Sequence, residues 1–377
     1  MDWPPLSSHI EIDSKIYSVE TAAEIARNRI TSSVRLAGHT LSQRVLEYTE
    51  GLETDAIRQR FKDFHRIRTV ELESIFRLAR KIDEKPTAEA CNKLGVILLS
   101  NGFHDDARQK FMRAMEQNPG HLPAMKNYGI TLSLLGDHAG AVAALHKAKE
   151  LNPGFADLYY HLGNIHLDRF ELDEATQNFL QALQINPRYA DSRLKLAATC
   201  VGYLLQSGKT LPETKVKELE ERVIAESDTA AQLNPKVRNR AFLMAQDSIK
   251  LKRYEVAFQQ FMEVRPKFVP RVGDEVIFFF TLMLLYGSEG IDQQMTDQYV
   301  DKLNAVIEEY PQYADLHQHL AVAHLIKTRF VVARSLREFK KTLEINPHLP
   351  RAQDSLVEAE EVHKRVLQAL RKAIILT

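Results

Sequence analysis

The sequence predicts an all-α fold, an α-solenoid of about seven stacked antiparallel helix pairs with a helical N-terminal extension and a C-terminal capping helix. Three observations carry this reading. Asn-Pro recurs at 118–119, 152–153 and 186–187, each 34 residues after the last. Small residues return at fixed offsets: Gly95, Gly129 and Gly163, then Ala107, Ala141 and Ala175, then Ala114, Ala148 and Ala182. The large residues between them keep helical spacing, as Cys91, Leu94 and Leu98 do at i, i+3 and i+7.

Residues 1–12 are expected to be a flexible N-terminus. Residues 13–86 show no repeat, but Ile57, Phe61 and Phe64, and again Ile75, Leu78 and Ile82, have helical spacing. The region is therefore expected to be helical, either a separate cap or degenerate repeats, with the cap preferred. Residues 88–189 form three regular units. In each, glycine and alanine stand where two helix backbones approach, and Phe111, Leu145 and Phe179 fill the space between pairs. Asn101-Gly102 and Gly136-Asp137 make the turn within a pair, and Pro119, Pro153 and Pro187 end each unit because proline cannot continue a helix interior.

A fourth unit spans 190–237, but its closing Asn234-Pro235 comes 48 residues after the previous Asn-Pro, so fourteen residues are inserted. Residues 238–349 hold three divergent units: a fifth at 238–271, a weak sixth at 272–313, and a seventh at 314–347 that aligns with 156–187. Residues 350–377 form the capping helix, with Leu367, Leu370 and Ile374 at helical spacing.

Composition narrows the function. Fifty basic residues balance fifty acidic ones, so no global field draws the chain to nucleic acid, an anionic membrane or an acidic substrate. The two cysteines, Cys91 and Cys200, are far apart on faces expected to be buried, which suits a reducing compartment. The opening MDWPPLSSHIEIDSKIYS has neither a basic leader nor an apolar stretch, so no secretory export is expected, and the expected compartment is the cytoplasm. The longest apolar run, VIFFFTLMLLYG at 276–287, is too short to span a bilayer and reads as a buried helix, so no membrane insertion is expected.

The recurring residues at 88–189 resemble the tetratricopeptide repeat: a large residue, then Leu-Gly three positions on, then Ala-x3-Phe-x2-Ala and a closing proline. The family's leading tryptophan is replaced by Cys91, Met125 and Tyr159, and its usual tyrosine by Leu98, Leu132 and His166. The resemblance implies a scaffold whose first helices line a concave groove that holds a peptide or helix of a protein partner. Carried onto this sequence, the groove residues are Asn92, Val96, Lys126, Ile130, Tyr160, Asn164, Leu194, Phe242 and Gln246. Asn164 and Gln246 would bond to a peptide backbone, Lys126 would meet a carboxylate, and Tyr160 and Phe242 would supply aromatic anchors. The family's chaperone-tail clamp is disfavoured, because Asn92 and Val96 stand where a lysine and an asparagine are needed, and Asp157 and His161 where cations are.

Catalytic and cofactor readings fail on spacing. Ser207-Gly208-Lys209-Thr210 ends like a phosphate-binding loop, but the glycine such a loop needs at 203 is Tyr203. Residues 207–213 are read instead as a loop at the insertion, either a partner contact or an inert spacer. His161 and His166 are five apart, which misses the i, i+4 spacing of a metal pair on one helix. No catalytic residue, cofactor or metal is expected, and the chain is not read as an enzyme. RQRFKDFHRIR at 58–68 interleaves cations with aromatics, as a single-strand binder would, yet Ile57, Phe61 and Phe64 make a core stripe and leave the arginines as a solvated face. The alternative to an adaptor is a structural subunit, or a self-oligomerising scaffold acting through residues 13–86 or 350–377.

Overall fold

The computed structural model describes residues 3–12, 14–49, 51–207, 210–264, 278–279, 281–282, 293–309 and 314–375. It divides into two compact units, Met1–Lys85 with Pro270–Thr377, and Pro86–Val269.

The first unit opens with strands, where a flexible tail and a helical region were expected. β1 (Leu6–Ile12), β2 (Lys15–Glu24), β3 (Arg29–Leu36) and β4 (His39–Glu47) form an antiparallel sheet in chain order. The period explains it: Tyr17, Val19, Thr21 and Ala23 alternate with exposed or half-buried neighbours, so one face of β2 is buried. Asn28 and the pair Ala37 and Gly38 take positive φ, which closes the second and third connections tightly. The helical spacing noted at 57–82 belongs to α1 (Thr54–Glu84) alone, which covers the sheet with Ile57 and Phe61 against Ile30 and Tyr48. Trp3 joins this core, its ring 5.6 Å from that of Phe61.

The arginine-rich stretch of α1 is only partly a solvated face. Arg68 is 3 % exposed and donates to Ser42 Oγ (3.0 Å) and Glu71 Oε2 (3.1 Å). Glu71 also meets Arg44 (2.9 Å) and Lys302 (3.6 Å). Burial opposes ionisation of this carboxyl, yet the three cations hold its pKa down to about 2.

The unit continues with α12 (Gln293–Glu309), α13 (Ala314–Ile345) and α14 (Pro350–Ile375), packed through Tyr299, Leu303, Leu316, Ile326, Val366 and Leu370. The seventh repeat is therefore not a helix pair. α13 runs unbroken through Thr328-Arg329-Phe330-Val331, because no glycine, asparagine or proline there stops it. Half of the sixth unit and most of the apolar run at 276–287 lie outside the described residues. Among the described residues no helix is long and apolar enough to cross a membrane.

The second unit keeps the 34-residue rhythm. Its pairs are α2 (Ala88–Ser100) with α3 (His104–Gln117), α4 (Leu122–Leu134) with α5 (His138–Leu151), and α6 (Ala156–Asp168) with α7 (Leu172–Ile185). A Cβ on Gly95 would stand 2.5 Å from the Phe111 ring, and one on Gly163 2.6 Å from Phe179, which is why glycine recurs at this crossing. Thr87 Oγ1 caps α2 by accepting from the Ala90 N–H, and Asp137 caps α5 by accepting from Gly140. The turns use residues with positive φ: Gly102, Gly136 and, without glycine, Phe170 at 61°.

The fourteen inserted residues lengthen helices more than they make a loop. α8 (Ala190–Ser207) has 18 residues against 13 in the earlier first helices. α9 (Glu213–Leu233) has 21 against 14, and two further residues lie in the connection. A phosphate loop is excluded because α8 continues to Ser207, where the loop would need its strand and turn. Gly208 and Lys209 lie outside the described residues.

The fifth pair, α10 (Arg240–Lys250) and α11 (Tyr254–Glu263), departs from simple stacking, since its second helix lies against α8. Phe258 reaches 3.6 Å from where a Cβ on Gly202 would be, and its ring sits 5.5 Å from that of Phe170. Lys195 Nζ lies 3.8 Å from Met262 Sδ. Phe242, Ile249 and Phe261 share one core with Leu194, Ala198 and Val201 of α8. Cys91 and Cys200 are both buried, and burial pushes the Cys200 thiol up to about 11.

Candidate protein-interaction face

The first helices α2, α4 and α6 are neighbours within the second unit, so residues 34 apart fall side by side. This brings together part of the expected groove set. Asn127 Nδ2 donates to Asn92 Oδ1 at 3.0 Å, joining α4 to α2. Lys126 Nζ meets Asp157 Oδ2 at 3.2 Å, and its ammonium also lies 5.4 Å from the Phe155 ring centre. The carboxylate expected for Lys126 is thus supplied by the chain itself.

Asp157 is the hub of this cluster. Tyr189 Oη donates to its other oxygen at 2.9 Å. Burial works against the charge, but the Lys126 cation and the Tyr189 hydroxyl outweigh it and hold the Asp157 pKa below its ordinary value. His161, next to this pair, is pushed down to about 3, mainly by burial and then by Lys126, so its imidazole is neutral at physiological pH. Burial and the neighbouring carboxylate raise the pKa of Tyr189, which stays a hydrogen-bond donor. Tyr160 stacks at 5.1 Å on Tyr189 and lies 6.2 Å from Phe179.

Asn164 differs from its neighbours. Its Nδ2 is buried and has no hydrogen-bond partner among the described residues. It lines a small cavity of about 20 Å³ with Ile130, Ser133, His161 and Asp168. A buried amide donor without an acceptor is costly, so this position favours an incoming carbonyl or a water. Val96 and Ile130 are each about 5 % exposed and supply apolar floor beside the polar groups.

Three expected groove residues lie elsewhere. Leu194 and Phe242 are 0 % exposed, in the core that α8 shares with α10 and α11. Gln246 donates to Ser227 Oγ (3.0 Å) and Asp228 Oδ1 (2.7 Å), so it binds α9. The reason is common to all three: after the insertion the fifth pair meets α8 through α11, and the 34-residue register no longer says which face is open. Tyr189 was missed because it sits in the connection after Asn186-Pro187, and nothing in the repeat register marks it. A further apolar groove of about 430 Å³ lies between α3, α4 and α5, lined by Met115, Met125, Tyr128, Leu132 and Ala144. Among the described residues no cluster of histidine, cysteine or carboxylate side chains could hold a metal ion.

Comparison with known families matches residues 156–189 to the tetratricopeptide repeat model. No curated protein matches the chain. Among solved structures, MamA from Desulfovibrio magneticus RS-1 is 18% identical, with a TM-score of 0.36 over 47% of this chain and 92% of that one. PilF of Pseudomonas aeruginosa is 16% identical, with a TM-score of 0.37 over 62% and 96%. YrrB, described as a TPR protein with an unusual peptide-binding site, is 14% identical, with a TM-score of 0.34 over 57% and 98%. The matched unit lies in register with 88–121 and 122–155, and the same glycine-on-aromatic contact recurs at Gly95 and Gly163. Residues 156–189 thus match a tetratricopeptide repeat, and the two preceding units share its register, the first of them also its glycine-on-aromatic packing.

Proposed function

We propose that the chain is a cytoplasmic, non-enzymatic adaptor that holds a segment of a protein partner against α2, α4 and α6. The observation that carries this reading is the unpartnered Asn164 amide beside Ile130 and Ser133. A peptide carbonyl satisfies that donor, while the apolar floor at Val96 and Ile130 receives a side chain. Because Lys126 is neutralised by Asp157 and His161 carries no charge, the face selects through backbone hydrogen bonds and apolar contact and not through a terminal carboxylate. Nucleic acid is disfavoured as a partner, since Phe61 of the 58–68 stretch and the adjoining Ile57 are buried in the core with Phe64 packed against them, and Arg68 is engaged by Glu71.

The test is selection of binding peptides from a displayed random library, followed by calorimetry on the wild type and on Asn164→Ala. Tyr160 is unsuitable as the probe because it is packed into the core. The expected result is affinity weaker by about tenfold in Asn164→Ala, the value of one buried hydrogen bond. Peptides that bind both proteins equally, or no selected peptide at all, would remove the basis for this reading.

A further inference from the structure

The outer part of α13 and the facing part of α14 form a hairpin that does not bury its own apolar residues. From residue 327 to 351 no side chain is buried. Val332, Leu336, Phe339 and Leu343 of α13, and Leu356 of α14, are only half-buried where the two helices meet. Two helices alone leave both sides of their seam open to water, and a third or fourth helix is needed to close it.

The two sides of the seam differ. One carries Lys340 and Glu360, 3.9 Å apart. Helical spacing places Val331, Ser335, Phe339 and Thr342 of α13 on the other side, with Ser355 and Val362 of α14 beside them, and this side has no charge along its centre. Val331 is 61% exposed and Val362 46%. The strip from Val331 to Thr342 is about 17 Å long and two helices wide, so covering it buries on the order of 700 Å² in total, the size of a weak, concentration-dependent contact.

The charges at its edges identify the occupant. Residues 327–345 carry six cations and two carboxylates, whereas 354–361 carry four carboxylates and no cation. Lys327, Lys340, Glu360 and Glu361 are engaged in ion pairs, but Lys341, Asp354 and Glu358 make none among the described residues, and Arg334 holds the side-chain oxygen of Gln293 at 3.0 Å. A basic edge and an acidic edge on one face make that face complementary to itself.

We propose that this face binds a second copy of the chain, the uncharged strips forming a four-helix bundle in which α13 of each copy lies along α14 of the other.

Sedimentation velocity of the full chain across a concentration series tests it. The wild type is expected to pass from monomer to dimer, and Val331→Glu, at an exposed position that tolerates substitution, to raise the dissociation constant by about tenfold or more. The decisive measurement is a charge swap. Arg334→Glu with Lys341→Glu gives one variant, in which these two positions become acidic like Asp354 and Glu358, and Asp354→Lys with Glu358→Lys gives another, in which those two become basic like Arg334 and Lys341. Each alone is expected to stay monomeric, and an equimolar mixture to form a heterodimer, because only pairing between copies is restored by mixing. Circular dichroism confirms that each variant is folded. A wild type that stays monomeric throughout, as it would if a different protein covers the face, overturns the proposal. So does a dimer indifferent to Val331→Glu, or a mixture that remains monomeric.

Discussion

Glu71 gives the sharpest test of how the first unit is held together. Its side chain is 14% exposed and meets Arg44, Arg68 and Lys302, cations from β4, α1 and α12. Their combined effect takes the carboxyl from 4.5 in a free chain to about 2 in the fold. At about 1.4 kcal/mol per pKa unit this is worth about 3 kcal/mol of folding free energy. The folded pKa lies below the unfolded one, so the contribution is complete above pH 4.5 and is lost as pH falls toward 2. Glu71→Gln keeps the shape of the side chain, removes the charge and leaves Arg68 without its carboxylate. The variant should be about 3 kcal/mol less stable near neutral pH, and the gap should shrink steadily below pH 4.5. Urea unfolding read by tryptophan fluorescence is the assay, because the only tryptophan, Trp3, packs on Phe61 inside the same unit. A gap of the same size at neutral pH and near pH 3, or no gap at all, refutes the reasoning.

Other expectations concern the repeats. Gly163→Val should cost about 2–3 kcal/mol by overpacking the fully buried Phe179, whereas Gly154→Ala, whose new Cβ would meet only Asn152 Oδ1 at 3.6 Å, should cost nothing measurable by urea denaturation. His161, which takes its proton near 6.5 when unfolded and near 3 when folded, should make the wild type lose up to about 1.4 kcal/mol per pH unit as pH falls below 6.5. His161→Gln should flatten that slope in a series of melts between neutral pH and the range where Asp157 begins to titrate. Cys200, buried with its pKa near 11, should react with a thiol reagent at neutral pH only when the chain unfolds; rapid labelling of the native protein would show that α8 is not packed as described.

The three regular pairs were readable because their packing is local and periodic: Gly95 and Phe111 are sixteen residues apart, and the same distance separates Gly163 from Phe179. The core stripe of α1 was readable for the same reason. The sheet was not, because Ser and Thr interrupt the apolar alternation of β2 and β3, and the stronger helical signal at 57–82 extended over it. The single long α13 was hidden by its alignment to a repeat with a turn, where the aligned turn depends on Phe170 in a left-handed conformation that the letters do not announce. On the candidate face, Asn164, Ile130 and Lys126 came from the register. Asp157 acquired its central place only through Tyr189, 32 residues away, and that pairing requires the fold.

Phe170 carries a wider consequence. A phenylalanine at φ 61° costs on the order of 1 kcal/mol that glycine would avoid. Its ring, however, lies against Phe258 of α11, so a turn of the third pair is clasped to the fifth. Repeat arrays ordinarily behave as a row of dominoes in which each unit senses only the next, and they fray from the ends. A contact that skips a unit works against that freedom: when α11 peels away it loses its packing on the Phe170 turn as well as on α8, so opening of the fifth pair is coupled to the third.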